Sequence, residues 1–336
     1  VRAFPSPIAD AMSGVQSVLR QPHGCFEQAS AMNYPNTMAL LYMRESQTAD
    51  PQVSRRALGM LDRGYQKLTS YECAGRGYEW FGADPGHEAL SALGLMQFTD
   101  MSKVMQVSRE MLSRTRGWLL SRRDGDGGFQ RNPRHLHQCS VQQQIDNAYI
   151  LRAISEEDVA AGQPLRIASE LSPELDQMYR VAARSDDPYL VALSAASLLN
   201  VRRTGDGETL LEKLAELQDR DGSLQGKTTV TASGGLSLTM ETTAIATIAW
   251  AKSPRFIGNA RAAARWISDN RVGNGGFGST QATVLALKAL VAMWGHSPSQ
   301  ATGTLLVQLD GEVIGRAELP EQPGGGSTVE VAGLGR

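Results

Sequence analysis

The sequence predicts an all-α chain, an α/α-toroid of about six helix pairs, with a short β-strand tail that reads as the opening of an adjoining β-sandwich domain. Three observations predict it. Helical periodicity recurs in about eleven segments with few strand-like runs between them. A loose repeat places a glycine-rich turn, one aromatic or leucine plug and an alanine-rich helix in the same order four times. After Gly295 the pattern changes from helical to alternating.

Taken in order, the helical pattern covers Thr37 to Arg44, Val53 to Leu68, Glu88 to Phe98 and Val104 to Leu120. It resumes at Ile145 to Ile154, Glu174 to Ala183, Tyr189 to Val201 and Leu210 to Leu217, and ends with Thr242 to Ala251, Ala260 to Ser268 and Gln281 to Met293. The repeat is clearest where Gly75 to Gly82 precedes Ala89-Leu90-Ser91-Ala92-Leu93, and where Asp124 to Phe129 precedes Asn147 to Leu151. It returns as Asp219 to Leu224 before Glu241 to Ala244, and as Gly273 to Gly278 before Thr280 to Leu287. Small residues let helices approach closely on an inner ring, longer charged helices suit an outer ring, and glycine supplies the positive-φ turns between them. These features assign residues 1–298 to the helical domain. Residues 299–336 form the tail: Thr304 to Leu309 alternates, Asp310-Gly311 is a hairpin turn, Val313 to Leu319 is a second strand, and Thr328 to Val331 is a third.

The bulk composition narrows the function. Of 336 residues, 41% are hydrophobic and 20% charged, ordinary for a globular chain with ample core. A net charge of −2 argues against a nucleic-acid partner, which would want a basic face. No apolar run approaches the ~20 residues that span a bilayer. The chain opens on Val1 rather than methionine and stops shortly after a strand-like segment, so the expectation is an excised part of a longer protein. Cys25, Cys73 and Cys139 are too few for a disulfide scaffold. Asp124-Gly125-Asp126-Gly127-Gly128 lacks the regular series of oxygen ligands and the terminal glutamate of an EF-hand, so it reads as a turn; neither metal nor cofactor is expected.

Chemistry concentrates at Pro22-His23-Gly24-Cys25-Phe26-Glu27-Gln28. A cysteine and a glutamine three residues apart, at a glycine-marked entry to a helix, share one helix face. If the side chains meet, the thiol displaces ammonia from the glutamine amide and leaves an internal thioester. A lone cysteine before a helix is otherwise a small buried apolar residue.

Gly-Cys-x-Glu-Gln resembles the thioester motif of the α2-macroglobulin and complement family. Ala29 to Asn36 and Gly77 to Leu90 resemble its bacterial branch, as does the bulky Phe26, where vertebrate members carry glycine. The resemblance implies the toroid fold, a Cys25–Gln28 thioester, and a single-turnover protease trap that acylates proteases or surface nucleophiles rather than a turnover enzyme. It also implies neighbouring domains in the same chain and a periplasmic, secreted or cell-surface location. In the family a histidine follows an Asp-Gly-x-Phe turn and approaches the activated thioester. His137, eight residues after Phe129 and 112 after Cys25, matches that position better than His135, although Cys139 to Gln144 departs from the family pattern. An imidazole there directs transfer to hydroxyls; without it, amines react directly. Glu27 is either an electrostatic neighbour of the reacting pair or a helix N-terminal acid. His23 reads as a turn residue. The aromatic group at Tyr78, Trp80 and Phe81 either keeps water from a thioester or simply packs.

Two other readings stay open. One is a cysteine hydrolase or amidase using Cys25 and His137 with no role for Gln28. The other is a non-catalytic binding toroid, or a carbohydrate-active one using Asp124, Asp126 or Glu241. Gln142, Gln143, Gln144 and Asn147 form a polar cluster with no assigned chemistry.

Overall fold

A computed structural model describes residues 2–3, 21–45, 51–132, 142–272, 276–294, 296, 303–310, 312–319 and 327–328. Twelve α-helices are described: α1 (Phe26–Glu45), α2 (Pro51–Thr69), α3 (Glu88–Met101), α4 (Arg109–Ser121), α5 (Gln143–Ala160), α6 (Arg166–Glu170), α7 (Ser172–Arg184), α8 (Pro188–Asn200), α9 (Thr204–Leu217), α10 (Gly235–Trp250), α11 (Ile257–Asp269) and α12 (Thr280–Trp294). The strands are β1 (Arg2–Ala3), β2 (Gly303–Leu309), β3 (Glu312–Leu319) and β4 (Ser327–Thr328).

Two kinds of helix build the body. Helices α1, α3, α5, α8, α10 and α12 are buried on nearly every side; α8, for instance, buries all of Pro188 to Leu198. Their Ala, Ser and Thr content leaves no polar stripe facing water, as a fully enclosed helix requires. Each packs on the next, and α12 packs back on α1, so the six close a ring. Helices α2, α4, α7, α9 and α11 bury a single stripe and lie outside it. In α2 the stripe is Ala57, Leu61, Gly64 and Leu68, at helical spacing. Gly64 is needed there because a Cβ would fall 2.2 Å from Asn33 of α1. The all-α ring is the fold that the repeat predicts.

The repeat has a definite mechanical role. Its plugs Tyr78, Phe129, Leu224 and Phe277 are all buried. Each plug's backbone N–H donates to a side chain on the inner helix that follows: Tyr78 to Ser91 Oγ (2.8 Å), Phe129 to Asn147 Oδ1 (3.1 Å), Leu224 to Thr243 Oγ1 (3.0 Å) and Phe277 to Thr283 Oγ1 (3.0 Å). A buried backbone donor must be satisfied, and these side chains do it while fixing turn to helix. Asn147 belongs to the unassigned polar cluster, and Gln143 completes the arrangement by donating to the Phe129 carbonyl at 2.7 Å. The Asp124 turn is similarly self-contained, since Oδ1 accepts the N–H groups of Asp126 (2.8 Å) and Gly128 (2.9 Å).

Several boundaries differ from the sequence expectation. Helix α1 runs through Pro35 and begins eleven residues before Thr37, because burial around its circumference overrides the missing proline donor. Helix α4 starts at Arg109 rather than Val104; Ser108 caps it, its Oγ accepting the Met111 N–H at 3.2 Å. Helix α10 opens at Gly235, seven residues before Thr242. In the tail, β2 and β3 pair antiparallel with an irregularity between Val307 and Gln308, and β1 pairs antiparallel with β4.

Candidate functional site

Cys25 ends the turn that leads into α1, and Gln28 lies in the first turn of that helix. The Cys25 N–H donates to Gln28 Oε1 at 3.2 Å, so the glutamine side chain folds back over the helix entry. Gly24 makes room for it. Its φ is +82°, and a Cβ there would fall 2.1 Å from Gln28 Oε1 and 3.0 Å from Cδ. The Tyr71 hydroxyl donates to the Gly24 carbonyl, and the Phe26 N–H donates to the Trp80 carbonyl at 2.9 Å. The turn is therefore fixed from the 71–82 loop, with the cysteine partly buried and Gln28 exposed.

The neighbouring residues divide their work. Phe26 turns fully into the core, stacking on Tyr78 at a centroid distance of 5.0 Å, so its bulk anchors the helix start. Glu27 accepts the Trp80 indole N–H at 2.8 Å from the first turn of α1, where the helix dipole favours an acid. Trp80 meets His87 edge-to-face at 4.9 Å, and His87 caps α3. His23 is exposed. His135, His137 and Cys139 lie outside the described residues. Cys73 is buried with its thiol pushed up to about 11, chiefly by burial and then by Asp84 and Glu79, as suits a packed thiol.

Cys25 and Gln28 open into a cavity of about 560 Å³ at one mouth of the ring. Trp80 and His87 line it, as do Asp146 near the start of α5, Gln281 near the start of α12, and Thr231 and Ser233 from the loop before α10. The starts of several inner helices thus face one space, whose partial positive charge favours a developing anion such as a thiolate. Glu27 and Asp146 line the cavity and Glu241 stands behind its wall; the sequence singled out neither Asp146 nor Glu241 for this place. Asp146 is pushed up to about 6 by burial, opposed by Arg131 at 3.3 Å and assisted by Glu88. Glu241 is raised by burial despite hydroxyl donors around it, and lies behind Ser233 and Thr231. Asp146 immediately precedes the plug-holding Asn147, as the cavity-lining Leu90 immediately precedes Ser91, the one sequence signal that points to it.

Family-level comparison matches residues 4–293 to the A-macroglobulin TED domain. The chain belongs to this family. It is a thioester domain of the α2-macroglobulin-like type, and the helical ring is the fold expected of one. Among the described residues no helix is long and apolar enough to cross a membrane, and no three His, Cys, Asp or Glu side chains are grouped to hold a metal ion.

Proposed function

We propose that Cys25 and Gln28 form an internal thioester and that the domain is a single-use acylating device within a protease-trapping protein. The carrying observation is the back-folded Gln28 carboxamide, with Oε1 on the Cys25 N–H at 3.2 Å beneath a glycine that alone leaves it space. In that arrangement the thiol attacks the Gln28 carbonyl carbon, the C–N bond breaks, and ammonia leaves. Sulfur donates little resonance and leaves readily, so the thioester acylates far better than the amide it replaces. An incoming nucleophile adds to the same carbon, the C–S bond breaks, and the thiolate is released at the start of α1, where the helix dipole favours it. Trp80 and His87 on the cavity wall support the reading by limiting water on one side.

The remaining parts of the reading rest on the family to which the chain belongs. The captured nucleophiles belong to a protease that has cleaved a bait segment elsewhere in the longer protein. Residues 299–336 belong to a neighbouring domain, and the whole acts in the periplasm or outside the cell. His137 is assigned to hydroxyl transfer: its imidazole takes the acyl group and the Cys25 thiolate then serves as base. A His137→Ala protein is expected to lose glycerol incorporation while keeping methylamine incorporation. Unchanged partitioning removes that role.

Intact mass decides the central claim. Fresh protein is expected to be one ammonia lighter than its sequence mass and to regain mass as a methylamine adduct on residue 28, while Gln28→Ala shows neither change. An unmodified mass with no adduct overturns the reading in favour of a Cys25 hydrolase or a binding toroid, and repeated amide or ester turnover by Gln28→Ala overturns it in favour of the hydrolase.

A further inference from the structure

Glu241 is fully buried on α10, yet its immediate partners are hydroxyls. Oε1 accepts from Ser233 Oγ at 2.6 Å and from Ser279 Oγ at 3.2 Å, and Oε2 from Thr231 Oγ1 at 3.3 Å. Thr231 Oγ1 also lies 3.0 Å from Ser233 Oγ and 3.1 Å from Thr229 Oγ1. Among the described residues no Lys, Arg or His forms an ion pair with Glu241. A buried carboxyl group is ordinarily ion-paired or held neutral, and nothing in thioester formation requires this one.

The arrangement has a consequence at the cavity surface. Each hydroxyl has one proton, and a proton donated inward to Glu241 leaves only lone pairs for any other partner. Thr231, Ser233 and Ser279 all line the cavity that holds Cys25 and Gln28. When Glu241 is ionised they present a cluster of acceptors backed by a carboxylate, a form that burial opposes and an approaching cation favours. A primary ammonium offers three N–H donors and a positive charge and fits such a wall; an alcohol offers one proton and no charge.

We propose that Thr231, Ser233 and Ser279, anchored by Glu241, are a docking subsite for a primary ammonium, such as a lysine side chain of a captured protein, and set the acceptor preference of the domain. The acylation arm of this proposal rests on the thioester reading; the docking arm does not. Docked, the ammonium gives one proton to the Asp146 carboxylate on the same cavity wall. The free nitrogen forms a bond to the Gln28 carbonyl carbon, the C–S bond breaks, and a second amine proton ends on the Cys25 sulfur. The products are an amide at residue 28, a free thiol and a protonated Asp146, which releases its proton to solvent.

The test separates docking from acylation. In Cys25→Ala protein, where no thioester forms, methyl resonances of Val230 and Val284, both on the cavity wall, are followed by NMR. Titration with Nα-acetyl-lysine methylamide is expected to shift them saturably, whereas the analogue with a hydroxyl in place of the ε-amine leaves them unmoved. Adding Thr231→Val and Ser233→Ala is expected to weaken lysine-probe binding about tenfold, and Thr231→Ser to retain it. Equal shifts from both probes, no shift from either, or Thr231→Ser weakening binding as much as the valine variant overturns the subsite. In protein with Cys25 intact, the same double substitution is expected to lower the ratio of methylamine to glycerol incorporated. A wild-type protein that binds the lysine probe but never shows the ammonia-deficient mass upholds the subsite and defeats the thioester reading.

Discussion

The two ends of the ring axis treat buried carboxylates in opposite ways. Tyr34 stands between them, lining the Cys25 cavity while its hydroxyl donates to Asp100 at 2.7 Å. Beyond it every acid has a cation. Asp100 takes Lys103 at 2.6 Å and Lys288 at 2.8 Å, Lys288 reaches Glu156 at 2.5 Å, and Glu156 takes Arg152 at 2.8 Å. Burial opposes ionisation there, but the cations win: Asp100 is held well below the usual carboxylate range and Glu156 at about 2. At the mouth, among the described residues, Asp146 has one arginine and Glu241 has hydroxyls, and both are raised. Burial is similar at the two ends, so the supply of cations sets the sign. The far end is electrically closed, and the mouth is left to receive a positive group.

The largest expected effect tests the closed end. Lys288→Met leaves Asp100 with Lys103 alone and Glu156 with Arg152 alone, and is expected to cost about 3–5 kcal/mol in denaturant unfolding. The methylamine adduct per folded molecule should not change. A loss below about 1 kcal/mol would mean that the network does not clamp α3, α5 and α12 together. At the mouth, Gly24→Ala should do the reverse. Its Cβ has no room beside Gln28, and the positive φ adds a cost of about 1 kcal/mol. The fraction of molecules showing the ammonia-deficient mass is expected to fall about tenfold, equivalent to about 1.4 kcal/mol, with no more than about 1–2 kcal/mol lost from overall stability. An unchanged fraction would show that the back-folded glutamine is not required for the bond to form.

The closed end and the mouth were also unequally legible in the sequence. The helical ring could be read because the turn, plug and small-residue helix repeat at local spacing, and the structure adds what that spacing was for: Ser91, Asn147, Thr243 and Thr283 each hold a plug's N–H. Cys25 and Gln28 could be paired because they are one helical turn apart. Asp100, Glu156 and Lys288 could not, since nothing local relates positions so far apart on three helices. Glu241 was visible only as a possible carbohydrate-cleaving acid, because its meaning depends on hydroxyls from the 229–233 loop and from Ser279. The run of α1 through Pro35 and the start of α10 at Gly235 were hidden for a related reason: Pro35 and the glycines at 234 and 235 argue locally against helix, and tertiary burial overrules them.

The smallest expected effect asks whether the mouth is truly short of cations. Asp146 is pushed up to about 6 in the folded chain, whereas an unfolded aspartate titrates near 3.9. The folded state therefore binds the proton more tightly, so ionised Asp146 costs stability above pH 6, and the cost fades as pH falls toward the unfolded value. Asp146→Asn removes the charge and keeps the size. At pH 8 the variant is expected to be more stable by about 1–2 kcal/mol, a figure reduced for the Arg131 contact it also loses, and the gap should narrow between pH 8 and pH 5. Glu156, lowered to about 2, has the opposite dependence: its stabilisation is complete above the ordinary glutamate range and disappears as pH falls through 2. If Asp146→Asn is instead less stable at pH 8, with a gap that does not change with pH, Arg131 neutralises Asp146 as fully as Lys288 neutralises the far end. The contrast between the two mouths of the ring would then rest on Glu241 alone.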